Sequence, residues 1–264
     1  MRRGLRFVGS VLSLVALGLT PPGARAQAAA SGAAAATPTY AVLSLIGDEF
    51  TVVMRRGETG TRISPTERQS YPITEPVFDK TATSAAQDAI VRLRPSAQVL
   101  QFSIRDARLF ALQERLAVES DESRAMREAL SKVLRENQVT ELVLVTKRRN
   151  DATFALADGT TGVGKLAGLG FYIDTGMPLS NVNTGEYSNG YFASYSYMDV
   201  ALIDAASMRV VRSVAALESS MTTDTAKSRT FRAWDALTGQ QKVDALDRLI
   251  SKGVASAVAS LLAN

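Results

Sequence analysis

The sequence predicts an α/β domain: a mixed sheet of about five to six strands with helices packed on it, ending in a β-hairpin and a helix. Three observations predict it. Apolar, β-branched runs alternate with segments of helical periodicity from Tyr40 to Lys147. Two strand-like runs, Tyr191–Asp204 and Met208–Glu218, are joined by a turn around AASM, the signature of a hairpin. Thr238-Gly-Gln-Gln241 is a capping box that opens an amphipathic C-terminal helix. The antiparallel hairpin makes the sheet mixed, and segregated α+β packing fits the same order.

Taken in order, AVLSLI and FTVVM flank Gly47-Asp48-Glu49 and form either a hairpin or one strand with a bulge at Gly47. Residues 55–76 are polar and punctuated by Gly and Pro, as expected of loop or edge structure. Asp79 to Leu93 is a helix with Ala82, Ala85, Ala86, Ala89, Ile90 and Leu93 on one face, and Pro95 ends it. A short strand at 97–103 follows, then a helix-leaning segment from Ala107 to Val118. A clearer helix from Asp121 to Asn137 has a stripe of Ala125, Met126, Ala129, Leu130, Val133 and Leu134, capped by Ser120 or Asp121. ELVLVTK (141–147) has the composition of a buried strand. The C-terminal helix turns Val243, Leu246, Ile250, Val254, Ala257, Val258 and Leu261 inward.

The N-terminus has the form of a secretory signal. Arg2, Arg3 and Arg6 precede an apolar run from Phe7 to Leu19, and Ala24-Arg25-Ala26 is an A-x-A cleavage site. The apolar run is shorter than the roughly 20 residues a membrane-spanning helix needs. Cleavage after Ala26 is therefore expected, with a flexible Ala-rich lead-in at 27–38, one domain at 39–264, no transmembrane segment, and a periplasmic location. The basic pI of about 9.4 belongs to this leader. Removing its four arginines from the 30 basic residues leaves 26, equal to the 26 acidic ones. No nucleic-acid partner is expected of a chain so balanced.

The missing residue types exclude whole chemistries. The chain has no cysteine, hence no disulfide, thiol nucleophile, thiolate metal site or lipobox, and a lipoprotein is not expected. It has no histidine, hence no Ser-His-Asp triad and no His-ligated metal. GTTGVGKL (159–166) imitates a phosphate-binding loop, but Leu166 stands where a Ser or Thr must bind Mg²⁺, and the Gly-rich continuation cannot open a helix. DVALID (199–204) imitates the partner strand of such a site, yet Asp204 falls where a turn should begin. GDE at 47–49 lacks the Ser of a lipase motif. No nucleotide, metal or other cofactor is expected.

What remains is a concentration. Eight of 18 glycines lie between Gly159 and Gly190, read as one Gly-rich loop, and five of seven tyrosines lie between Tyr172 and Tyr197. Alternation puts Tyr191, Tyr195, Tyr197 and Asp199 on one face of their strand. With Tyr172, and with Lys147, Arg148 and Lys165 nearby in sequence, they form the expected contact surface, provided that this face is open.

The export signal, the element order and the hairpin YMDVALIDAASMRVVRS resemble periplasmic α/β domains of the Tol-propeller amino-terminal and curli-secretion type. The resemblance rests on Leu202, Asp204, Val210 or Val211, and Ser213, followed by the C-terminal helix. GKLAGLGFYID is similar to part of an uncharacterised family of exported proteobacterial proteins. These resemblances imply a non-enzymatic domain that binds a protein or a cell-envelope component. A carboxylate-dependent hydrolase of cell-wall glycans and a structural part of a secretion or pilus apparatus are the alternatives.

Overall fold

A computed structural model describes residues 37–56, 66–104, 106–116, 120–180, 187–222 and 233–263. The expected leader, and the lead-in before residue 37, lie outside the described residues. The elements are β1 (Thr39–Ser44), β2 (Glu49–Arg55), β3 (Thr66–Pro72), α1 (Val77–Leu93), β4 (Gln98–Phe102), α2 (Ala107–Leu116), α3 (Asp121–Glu136) and β5 (Glu141–Lys147). Then come β6 (Arg149–Asp151), β7 (Phe154–Leu156), β8 (Gly159–Thr161), β9 (Lys165–Ser180), β10 (Tyr187–Asp204), β11 (Arg209–Thr222), a 3₁₀ turn (Ala233–Ala236) and α4 (Gly239–Leu262). The fold is α/β: a mixed sheet with four helices packed on it, closing on β10, β11 and the long α4.

The sheet is organised around β10. β11 pairs with one edge of it from Phe192 to Asp204. β5 pairs with Met198–Asp204, and β9 pairs with the part from Tyr187 to Tyr197. A strand offers two edges, so β5 and β9 lie end to end along the second. They meet at Arg148, whose N–H donates to the Tyr197 carbonyl at 3.0 Å and whose carbonyl accepts from Gly168 at 3.3 Å. β1 runs parallel to β5, and β2 runs parallel to β9. Two half-sheets therefore share one β10–β11 ribbon. The lower half is β4-β1-β5 and the upper half is β3-β2-β9. β1 and β2 do not pair, so the hairpin alternative for residues 40–54 fails. They are successive strands along one line, interrupted at Leu45–Asp48.

Three apolar clusters cover the sheet. On one face, Phe192, Met198, Val200 and Leu202 of β10 pack with α1 and α4 across both halves. On the other face, Ala201 and Ile203 pack with Leu109, Leu116, Leu130 and Leu134 of α2 and α3. Beyond them on that same face, Tyr191, Ala193, Tyr195 and Tyr197 pack with Phe154, Leu166, Tyr172 and Val53. The alternation along β10 is as its sequence predicts.

Three expectations are corrected. The stretch 159–190 is mostly strand in its described residues, belonging to β8, β9 and the start of β10. Gly170 serves close approach: a Cβ there would strike the Thr51 carbonyl oxygen of β2 and come within 2.6 Å of the Tyr195 hydroxyl. On α3, Ala125, Ala129 and Val133 face solvent, while Ser123, Leu130 and Leu134 are buried. Two contacts set that rotation. Ser120 and Ser123 form a reciprocal cap, and the Arg127 guanidinium turns inward to the carbonyls of Leu116 (3.1 Å) and Met208 (2.8 Å). Leu93, at the end of the α1 stripe, is also exposed.

Candidate functional site

β1, β4 and β5 are parallel, so their carboxyl ends open on the same side. A crevice at that position is the usual place for a site in an open α/β sheet. Here the first turn of α1, the start of α2 and the β1–β2 link enclose a half-open cavity of about 540 Å³. Asp48, Glu49, Glu75, Asp79, Gln113 and Lys147 supply its polar lining, and Ile73, Ile104, Phe110 and Ala111 its apolar wall. A smaller hollow of about 180 Å³, bordered by Ser44, Thr83 and Gln101, shares Asp79 with it.

Asp79 fastens the corner where one half-sheet passes into the other. Its Oδ1 accepts from the Ser44 hydroxyl at 2.7 Å and from the N–H groups of Ile46 at 3.0 Å and Gly47 at 3.2 Å. Gly47 leaves room for this carboxylate: a Cβ there would lie 2.7 Å from Asp79 Oδ2 and would force the side chain to shift. Burial raises the Asp79 pKa above its ordinary value of 3.8, while these three donors act to lower it. Lys147 ends β5 with its Nζ 2.5 Å from Asp48 Oδ1 and 3.3 Å from Glu49 Oε1. Its backbone N–H donates to the buried Gln113 Oε1 at 2.8 Å, and Gln113 donates to the Phe110 carbonyl at 2.9 Å. That pair of bonds ties α2 to the end of β5. The crevice thus presents four carboxylates against one ammonium, on rigid supports.

Of the residues expected to form a contact surface, Lys147 alone borders this crevice. Arg148 pairs with Asp199 at 2.8 Å, where the α2–α3 cluster gives way to the tyrosine cluster. Lys165 is an exposed strand residue paired with Asp151 at 2.9 Å. The tyrosine face is closed: Tyr172, Tyr191, Tyr195 and Tyr197 are all buried. The physical reason is the β7–β8 hairpin and Phe154, which lie over that face. Phe154 packs 4.9 Å from Tyr172 and 5.8 Å from Tyr191, ring centre to ring centre. Three of the four hydroxyls hold backbone. Tyr172 accepts from Val163 N–H at 3.2 Å, Tyr197 accepts from Thr153 N–H at 3.1 Å, and Tyr195 donates to the Thr51 carbonyl at 3.4 Å. Burial raises the pKa of all four phenols.

The crevice carboxylates were not singled out from the sequence. Their signal was Gly47-Asp48-Glu49 directly after a strand, together with Asp79 in the first turn of a helix. The imitation motifs resolve as the sequence implied. Lys165 and Leu166 begin strand β9, with Leu166 buried, and no helix follows. Asp204 opens a turn, its carboxylate accepting from Ser207 N–H at 2.7 Å.

Fold and crevice define an α/β domain with a polar site at the carboxyl ends of its parallel strands. No family model matches the chain, and no curated protein matches it. Among solved structures it is similar to the PelC dodecamer from Paraburkholderia phytofirmans, at 12% identity and a TM-score of 0.30, covering 86% of this chain and 89% of that one. It is also similar to a Xanthomonas campestris protein of family DUF330, at 9% identity and 0.35, covering 85% and 83%. A third is a neuraminyllactose-binding hemagglutinin homolog from Helicobacter pylori, at 7% identity and 0.37, covering 87% and 84%. Among the described residues no helix is long and apolar enough to cross a membrane.

Proposed function

We propose that the protein is an exported, non-catalytic binding domain that holds a protein or cell-envelope component in the crevice at the ends of β1, β4 and β5. The observation that carries this reading is the cavity itself: about 540 Å³, half-open, with Asp79 held by hydrogen bonds and Lys147 by ion pairs to Asp48 and Glu49. A chain without His or Cys has no Ser-His or Cys-His pair to place there. Asp79, the carboxylate with a raised pKa, already takes three donors on one oxygen, which suits a structural fastener. The excess of carboxylates favours a partner that presents a cationic group, such as lysine side chains.

A lysine-rich peptide titrated into ¹⁵N-labelled protein is expected to shift the amides of Gly47, Thr74 and Lys147, and Glu75→Lys is expected to abolish those shifts. Shifts confined to other surfaces would overturn the reading. Release of soluble fragments from purified peptidoglycan, lost in Glu75→Gln, would establish the carboxylate hydrolase instead.

One observation favours assembly into a larger apparatus as a second reading. The outer edge of β11, a strand of 14 residues without Pro or Gly, pairs with no described strand. Long open edges accept strands from other chains. Native mass spectrometry showing only monomer at micromolar concentration would count against it.

A further inference from the structure

A second hollow lies on the α1–α4 face of the upper half-sheet and differs from the crevice in kind. It measures about 340 Å³, and Phe50, Val77, Phe171, Trp234, Val243 and Leu246 form its apolar wall. That volume lies near the lower end of the roughly 300–1,000 Å³ typical of small-molecule pockets. Among its lining residues Lys242 is the one charged group. The residue is only 9% exposed, with Nζ 2.6 Å from the Leu237 carbonyl and 4.2 Å from the centre of the Trp234 ring.

An ammonium has three donors. This one makes no ion pair among the described residues. Burial lowers its pKa, and the nearby Asp235 carboxylate acts the other way without forming an ion pair with it. Gly239 begins α4 beside it, and the first turn of α4 carries no acidic residue. The partial positive charge of that helix end therefore adds to that of Lys242. Trp234, 41% exposed at the rim, leans edge-on against Phe171 at 5.8 Å between ring centres.

An apolar wall with one underused cation at its edge is complementary to an apolar chain with one anionic end. We propose that this hollow binds a medium-length fatty carboxylate, its chain against Phe50, Phe171 and Leu246 and its carboxylate at Lys242 and the start of α4. The proposal is independent of the crevice, from which Ile73 separates the hollow by bordering both.

Trp234 is the single tryptophan of the chain, so its emission reports on this hollow alone. Dodecanoate, titrated below its micellar concentration into the full-length mature chain, is expected to produce a saturable blue shift. Dodecyltrimethylammonium should bind at least tenfold more weakly, and Lys242→Met should weaken dodecanoate at least tenfold while retaining the wild-type circular dichroism. Val77→Asp sets a like charge against the carboxylate at a position already 39% exposed, so it should fold and abolish binding even if Lys242→Met does not fold. Absence of a saturable shift, equal binding of the cationic amphiphile, or full binding by Val77→Asp would overturn the proposal.

Discussion

The two half-sheets are buried by different means. In the lower half, β1 and β5 are aliphatic on both faces: Ala41 and Leu43 with Leu142 and Leu144 point one way, Val42 with Val143 and Val145 the other. Helices cover both sides. In the upper half, α4 and the 3₁₀ turn cover one face, while the other is closed by a short hairpin that lays Phe154 over four tyrosines. Aliphatic side chains pack without hydrogen-bonding obligations. A buried tyrosine ordinarily places its hydroxyl on a partner, and here Tyr195, Tyr197 and Tyr172 place theirs on the backbone of Thr51, Thr153 and Val163. The upper half is therefore held by specific polar contacts and by glycines that leave room for rings, whereas the lower half is held mainly by shape and area.

The difference predicts distinct sensitivities. Gly170→Ala should have the largest effect, more than about 3 kcal/mol, because the new methyl group strikes rigid backbone. Gly159→Ala, in the same Gly-rich stretch but with nothing within 4 Å of the added Cβ, should stay within about 0.5 kcal/mol in urea unfolding. Equal effects would remove the claim that Gly170 serves close approach. In the lower half, Leu144→Ala should cost about 2–5 kcal/mol, the ordinary cost of a cavity. Tyr197→Phe keeps the ring but strands the Thr153 N–H, and should cost about 1–2 kcal/mol by the same measurement. A neutral result there would mean that the tyrosine core is held by its rings alone.

The corner between the halves has a pH signature. Burial raises the Asp79 pKa in the folded chain above its ordinary value of 3.8. The folded state then binds a proton that the unfolded state has released, so this group favours folding at low pH and loses that contribution as pH rises above 3.8 through the folded pKa. Asp79→Asn should remove this slope, and the difference between the two urea midpoints should change across that window and level off above it. A small effect is expected at Lys165→Glu. It breaks an exposed pair with Asp151 and should cost less than about 1 kcal/mol.

How much was legible in the sequence follows the same division. β1, α1, β4 and β5 carry their pattern in local residue order, and the Thr238–Gln241 cap marked α4 correctly, whereas α3 showed its extent but not its buried face. β9 did not, because Gly168 and Gly170 weaken any local strand signal. Their reason is a contact with Tyr195 and β2 that sequence order does not display. The alternation of β10 was legible, yet which face is open depends on Phe154 and the β7–β8 hairpin, which approach it from more than 30 residues upstream. The crevice was missed for a related reason. Asp48, Asp79 and Lys147 are far apart in sequence; the parallel pairing of β1 with β5 brings Lys147 to Asp48, and the bonds from Ser44, Ile46 and Gly47 bring Asp79 beside them.

The central claim is that partner contact occurs at the crevice and not over the tyrosines. Photo-crosslinking residues introduced singly at Glu75 and Ala111 on the crevice, and at Lys165 and Ala155 over the tyrosine core, test it in cells. The account predicts one specific adduct shared by Glu75 and Ala111 and absent at the other two positions. An adduct at Lys165 or Ala155, with none at the crevice, would contradict it.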